Sequence, residues 1–319
     1  MLFPTVEFAL FFLIVLTAAW CLYRWETVHK AFLLLASYVF YGFWNWHFVP
    51  LLILISVLSA LVAQRIRQCA SPTHRKAWLV LGVSLCLATL VYYKYTAFFL
   101  TTVLNLLPHL QRRAMRSPAW LSVATPMLPL GISFFVFHAI SLMADVYRNK
   151  LKQPVRMLDA LLYVAFFPQL IAGPILKASS FMPQLEKRRN PRALRVNRAM
   201  MLIAGGLFKK IIISNLLATR LVEPVFAAPQ TFSGPDIALA VYGYAAQIYC
   251  DFSGYTDIAI GCALLLGYRF PRNFNAPYTA SSPQEFWRRW HISLSSWLRN
   301  YLYTLWVDHG AGRGAPAST

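Results

Sequence analysis

Residues 5–22 read TVEFALFFLIVLTAAWCL, an unbroken apolar run whose one charge, Glu7, lies near its start. A helix that crosses the hydrocarbon core of a bilayer needs about 20 such residues, so the run predicts a membrane span. No basic segment precedes it, and the first cations, Arg24 and Lys30, follow it. That order predicts a retained span and not a cleaved signal. The rest of the chain has the same character: of 319 residues, 58% are hydrophobic, 15% aromatic and only 13% charged, with a mean hydropathy of +0.50. A water-soluble domain is about 45–50% apolar and about 25% charged, which excludes a soluble globule. The 23 Phe, 16 Tyr and 10 Trp exclude a disordered chain, because they offer ample surface to bury.

Working outward, the apolar stretch 31–63 is too long for one crossing and is interrupted by Gly42, Asn45, His47 and Pro50. It predicts two short or re-entrant helices joined near Asn45–Pro50, with irregular backbone shielded by protein or water. Further spans are expected near 78–104, 126–144, 158–176, 199–219 and 236–266, giving an all-α, polytopic integral membrane protein. Between them lie basic stretches at 64–77, 112–116, 148–156 and 184–198. Consecutive basic stretches cannot all alternate sides, so some segments are expected to be broken helices that return to the same face. The 30 Lys+Arg against 11 Asp+Glu give a net charge of +19. On a soluble protein that would suggest nucleic acid; placed between apolar runs it points to anionic lipid headgroups and topology, with attraction of an anionic substrate left open. No internal repeat suggests a two-half transporter. The five cysteines are scattered, with no spacing for a metal, and no metal site is expected.

In lipid the informative residues are polar ones at depth, where an uncompensated charge costs at least about 2.5–3.5 kcal/mol. In FFPQLIAGPIL (166–176), Pro168, Gln169 and Gly173-Pro174 break an apolar run, which reads as a kinked helix end or as the wall of a substrate passage. In QIYCDFSGYTDIAIG (247–261), a helix would place Asp251 with Tyr255 and Ser253 with Asp257 as two i,i+4 pairs. These groups must meet donors from other helices or line a wet cavity, and Gly254 and Gly261 would allow close helix approach. In PQEFWRRWHISLSSWLRNYLY (283–303), Glu285, Arg288, Arg289, His291 and Arg299 stand among Trp and Tyr. The arginines fit an interfacial belt as well as a binding role. Helical periodicity predicts that His291 and Ser295 share a face with Trp287 and Leu298, where an imidazole would be either structural or a proton acceptor for an attacking hydroxyl.

These motifs, with NFNAPYTASSPQEFW (273–287), LLLASYVFYGFW (33–44) and LPLGISFFVFHAISLMADVYR (128–148), resemble the membrane-bound O-acyltransferase (MBOAT) family, nearest its alginate O-acetylation branch. The resemblance implies tilted and re-entrant helices around a central funnel, and it places His291 at the first of the branch's two histidines, as a catalytic group. It further implies a multi-pass protein of the bacterial inner membrane with no bound cofactor. Acetyl-CoA or another acyl donor would be the co-substrate, and Arg288 and Arg289 could attract its phosphates. The acyl group would pass to a periplasmic acetyltransferase partner that modifies an exopolysaccharide such as alginate. The competing reading is a non-catalytic membrane carrier or scaffold for a polysaccharide-modifying complex.

The branch's second histidine is expected downstream in a Leu-Trp-His-Gly segment that this sequence does not contain. After Tyr303 the chain reads TLWVDHGAGRGAPAST, and His309 lies in a short polar context unlike that motif. The expectation is therefore an MBOAT-type domain over 1–303 that lacks terminal helices, followed by a Gly/Ala/Pro-rich tail over 304–319. Back-translation of Leu305–Gly312 in a shifted frame permits Leu-Gly-Gly-(Pro/Ser)-Arg-Gly-Gly, so a one-base shift near Leu305 is expected, and the downstream DNA tests it.

Overall fold

The computed structural model describes residues 3–106, 126–187 and 190–303. The expected basic stretch 112–116, Arg188, Arg189 and the tail 304–319 with His309 lie outside the described residues. Among the described residues every regular element is helical, as the apolar runs require. Among the described residues three helical stretches are long and apolar enough to cross a membrane: Glu26–Gln68, which is interrupted after Asn45, Pro72–Thr102 and Val196–Ala227. Val6–Cys21 and Ile132–Tyr147 are shorter apolar helices. Together they make a multi-pass, all-α membrane protein.

The helices are α1 (Val6–Cys21), α2 (Glu26–Asn45), α3 (Val49–Gln68), α4 (Pro72–Leu106), α5 (Ile132–Tyr147), α6 (Met157–Ala165), α7 (Phe167–Leu170), α8 (Ala178–Glu186), α9 (Val196–Ala227), α10 (Gly234–Leu265), α11 (Pro283–Arg289) and α12 (Ile292–Leu298). The break expected near Asn45–Pro50 is present. Asn45 turns extended, its side chain accepts the His47 N–H at 3.0 Å, and a 3₁₀ turn at Trp46–Phe48 leads into α3 with Pro50 in its first turn. Proline is tolerated there because first-turn N–H groups have no partner within the helix.

The chain divides into two compact units, 37–171 and the remainder. In the first, α3 packs on α4, α5 and α6. Its buried face is Leu52, Ile55, Ser56, Ser59, Ala60, Ala63 and Ile66, a helical repeat in which the small residues let backbones approach. Arg67 donates to the Leu151 and Lys152 carbonyls at 2.7 and 2.8 Å, and Arg75 to the Tyr147 carbonyl at 2.9 Å. Those cations of the 64–77 stretch therefore close the turn after α5.

The segment 158–176 departs from the expected span. α6 ends at Ala165, Phe166 is extended, and α7 lasts a single turn. Pro168 cannot donate to the carbonyl four residues earlier, so the helix stops. Gln169, fully buried, bridges the break by donating to the Tyr163 carbonyl. Gly131 opens α5 in the left-handed region at φ 72°, and a Cβ there would lie 2.5 Å from the Leu170 carbonyl oxygen. Gly131→Ala is expected to cost about 1–3 kcal/mol, read as a lower thermal midpoint in detergent; an unchanged midpoint would refute this packing account.

In the second unit α9 and α10 are the closest pair. A Cβ on Gly254 would lie 2.7 Å from the Gly206 carbonyl oxygen, and one on Gly206 2.6 Å from that of Gly254. Gly261 meets Ala199 in the same way, at 2.9 Å. The helices thus touch backbone to backbone, as Gly254 and Gly261 predicted. The Trp20 indole donates to the Leu265 carbonyl at 2.9 Å and ties α1 to the end of α10.

Candidate functional site

The helix expected around Asp251 forms as α10, with Ser233 and Asp236 as a reciprocal cap at its start. Asp251 and Asp257 are six residues apart, about 9 Å along the axis. Each meets a lysine of α9: Lys210 donates to Asp251 at 2.5 Å, and Lys209 to Asp257. Both lysines sit in a π-helical turn, Phe208–Ser214, a geometry that widens the helix locally. The donors these acids require come from two adjacent lysines inside the apolar run 199–219, a signal visible in the sequence though not among the expected site residues.

The neighbouring polar groups serve differently. Tyr255 is buried, stacks on Phe3 at 4.4 Å and lies under Lys210 at 5.9 Å from ring to Nζ. The Ser253 side chain is buried beside it on α10. Among the described residues neither hydroxyl has a hydrogen-bond partner.

The segment 283–303 is not one continuous helix, which corrects the expected face. Ser282 caps α11, accepting the Glu285 N–H at 3.2 Å, and Pro283 fills its first position. The helix ends at Arg289; Trp290 is extended and His291 is left-handed at φ 44°, ψ 53°, before α12 begins. His291 and Trp287 therefore do not share a helix face. Ser295 does not accompany the imidazole either: its hydroxyl donates to the Trp287 carbonyl at 3.2 Å and pins α12 to α11. The break is held from outside, since the Ile292 N–H donates to the Asn273 carbonyl and the Asn275 N–H to that of Arg289, each at 2.9 Å.

Glu285 accepts from the Ser281 N–H and hydroxyl, at 2.9 and 2.8 Å, and from Arg289 at 2.5 Å. These bonds, the Ser281 N–H foremost, lower its pKa to about 2. Arg289 also donates to the Thr279 hydroxyl at 2.9 Å, so it serves the loop, whereas Arg288 is exposed and makes no ion pair among the described residues.

His291 is held by Asn273, a residue the sequence analysis did not single out. The buried Asn273 side-chain oxygen meets His291 Nδ1 at 3.1 Å, the Ser293 hydroxyl at 2.9 Å and the Ser293 N–H at 3.2 Å. A backbone N–H can only donate, so the atom it meets is the amide oxygen. Nδ1 must then carry the proton, and Nε2 presents its lone pair. Ser293 is anchored in turn by the Ile175 N–H at 2.9 Å, and Phe252 of α10 packs edge-on against the imidazole at 4.8 Å. The short helices α11 and α12 lie outside the candidate spans. Burial disfavours the charged ring and lowers the His291 pKa to about 4.

A cavity of 320 Å³ joins the two networks. It is lined by Arg198, Asp257, Ile260, Arg272, Asn273 and Phe274 among others, so it reaches both the acid held by Lys209 and the amide that holds His291. The cavity meets the imidazole only through Asn273, which lines it and holds His291 Nδ1. The model of the MBOAT, membrane-bound O-acyltransferase family, matches residues 8–315. The chain belongs to that family. It is similar to the probable alginate O-acetylase AlgI of Pseudomonas aeruginosa, at 37% identity over 92% of this chain and 54% of the relative. It is also similar to the peptidoglycan O-acetyltransferase of Helicobacter pylori, at 36% identity over 86% of this chain and 55% of the relative. The teichoic acid D-alanyltransferase of Bacillus subtilis matches at 30% identity over 56% of this chain. The chain spans about half the length of the curated relatives it matches. Among the described residues no group of His, Cys, Asp and Glu could hold a metal.

Proposed function

We propose that this membrane-bound O-acyltransferase moves an acyl group, acetyl in the first instance, from a cytoplasmic acetyl-CoA donor toward an exopolysaccharide such as alginate. It would do so from the bacterial inner membrane, through a periplasmic acetyltransferase partner. The observation that carries the reading is the hydrogen bond from His291 Nδ1 to Asn273, which leaves Nε2 as an unprotonated base. An acceptor hydroxyl would give its proton to Nε2 while its oxygen attacks the donor carbonyl. As the tetrahedral intermediate collapses, the carbon–sulfur bond breaks and the imidazolium returns the proton to the departing thiolate. The support for acetyl is the likeness to an alginate O-acetylase and a peptidoglycan O-acetyltransferase, and the support for a base is the geometry around position 291.

The test uses membrane vesicles from cells expressing the whole reading frame, supplied with acetyl-labelled CoA and the polysaccharide machinery. Label that becomes esterified to an acceptor in a protein-dependent manner is the expected result. Acceptor that is bound or carried without acquiring label would overturn the reading in favour of the carrier.

A further inference from the structure

Away from the His291 site, a second and larger cavity of 510 Å³ opens where the end of α8, the start of α9 and the turn after α10 come together. Its walls include Gln184, Lys187, Arg195, Leu264, Tyr268 and Arg269, and none of its lining residues is acidic. Among the described residues Lys187, Arg195 and Arg269 make no ion pair. All three are exposed, so solvent screens part of their mutual repulsion, and a bound anion would relieve the rest.

The walls are built rather than incidental. Gln184 fixes Arg269 by both of its amide atoms, accepting the Arg269 N–H at 2.8 Å and donating to its carbonyl at 3.0 Å. Gly267, at φ 82°, turns the chain there, and the buried Tyr268 ring stacks on Phe181 at 5.3 Å. Arg195 immediately precedes α9, whose first turn has no side-chain cap, so its free N–H groups add partial positive charge at the same rim. The apolar side of the space is formed by Leu194 and Leu264. Guanidinium groups pair with phosphate oxygens in a bidentate fork, and an ammonium adds a mobile point charge.

We infer that this cavity is a binding site for a phosphate group, carried either by an anionic phospholipid headgroup or by a soluble phosphate compound. The site stands apart from acyl transfer and does not rest on the chemistry proposed for His291.

Binding is measured on the purified full chain in detergent, by native mass spectrometry and by thermal shift. The probes are phosphatidylglycerol, phosphatidylcholine and inorganic pyrophosphate. Arg195→Gln with Arg269→Gln is compared with an equal charge loss elsewhere, Arg65→Gln with Lys76→Gln. The expected result is preferential retention of phosphatidylglycerol or pyrophosphate, weakened at least about tenfold by the first pair, equivalent to about 1.4 kcal/mol, and unchanged by the second. Phosphatidylglycerol binding that pyrophosphate cannot displace assigns a lipid headgroup; displacement, or binding of pyrophosphate alone, assigns a soluble phosphate. Equal weakening by both pairs means nonspecific charge attraction and overturns the site, as does the absence of binding by either anion. Because the readout is binding, a failure here leaves the acyl-transfer reading standing, and a failure of acyl transfer leaves this site standing.

Discussion

Replacing His291 with alanine is expected to lower acyl transfer by about 10²–10⁴-fold, the contribution of a positioned general base, while the protein still folds. The imidazole makes one side-chain hydrogen bond and one edge-on ring contact, so its removal spares the packing of α9 on α10. The pH profile adds a sharper prediction. On the proposed reading the base is the neutral ring, and burial lowers its pKa to about 4, so protonation should quench transfer only as the pH falls toward that value. An ordinary histidine would place the acid limb near 6.5. Asn273→Asp moves the limb the other way: the Oδ1 that meets Nδ1–H becomes part of a carboxylate, whose second oxygen replaces the Nδ2 that has no partner among the described residues. A negative charge there favours the imidazolium and should raise the limb by about 1–3 pH units. Asn273 acts through His291, as a positioning residue, and a purely structural role would lower the rate without moving the limb. Transfer that is unchanged in His291→Ala would remove the imidazole from the reaction.

Much of the fold was legible because membrane helices announce themselves by length and composition. The run 5–22 became Val6–Cys21, and the interruption at Asn45–Pro50 became a real break. What failed had a local cause. The run 199–219 extends to Val196–Ala227 because Pro224, which reads as a stop, falls in the first turn of a helical segment restarting at Glu223 after the π-turn Ala218–Val222. A proline tolerated at a restart has the same letter as one that ends a helix.

The site was legible in its residue types and not in its geometry. WRRWHISLSSW has helical periodicity and no glycine or proline at the break, so nothing in it marks position 291 as left-handed. The break is imposed by tertiary bonds, the Asn273 carbonyl to Ile292 N–H and the Asn273 amide oxygen to His291 and Ser293. Those partners lie 18 and 20 residues away in sequence, beyond the reach of any local pattern. Asn273 itself was quoted within a motif but had no distinguishing chemistry until the fold placed it under the histidine.

Neutralising one member of the Lys210–Asp251 pair is expected to reduce folded protein sharply, and neutralising both to restore most of it. Lys210 belongs to a candidate span, and its ammonium contacts Asp251 at 2.5 Å. In Asp251→Leu the lysine is left at membrane depth without its counterion, a loss of about 2.5–3.5 kcal/mol on insertion scales, against a total stability of about 5–15 kcal/mol for a typical domain. Lys210→Met leaves the carboxylate without its cation at a smaller cost, since the Asp251 side chain is 51% exposed against 19% for Lys210. Lys210→Met with Asp251→Leu removes both desolvation penalties and replaces an ion pair with apolar volume, a change that is often neutral or stabilising. The thermal midpoint and the yield of monodisperse protein in detergent should therefore be non-additive across the cycle, with the double variant above either single one. The exchange Lys209→Asp with Asp257→Lys asks the same of the second pair. Additive losses would mean that the four charges are solvated independently and do not hold α9 to α10. The glycine contacts predict that the helices still meet in the apolar double variant, because Gly206 and Gly254 approach through backbone atoms that no charge substitution disturbs. The ion pairs would then set which faces of α9 and α10 meet, while the glycines set how closely.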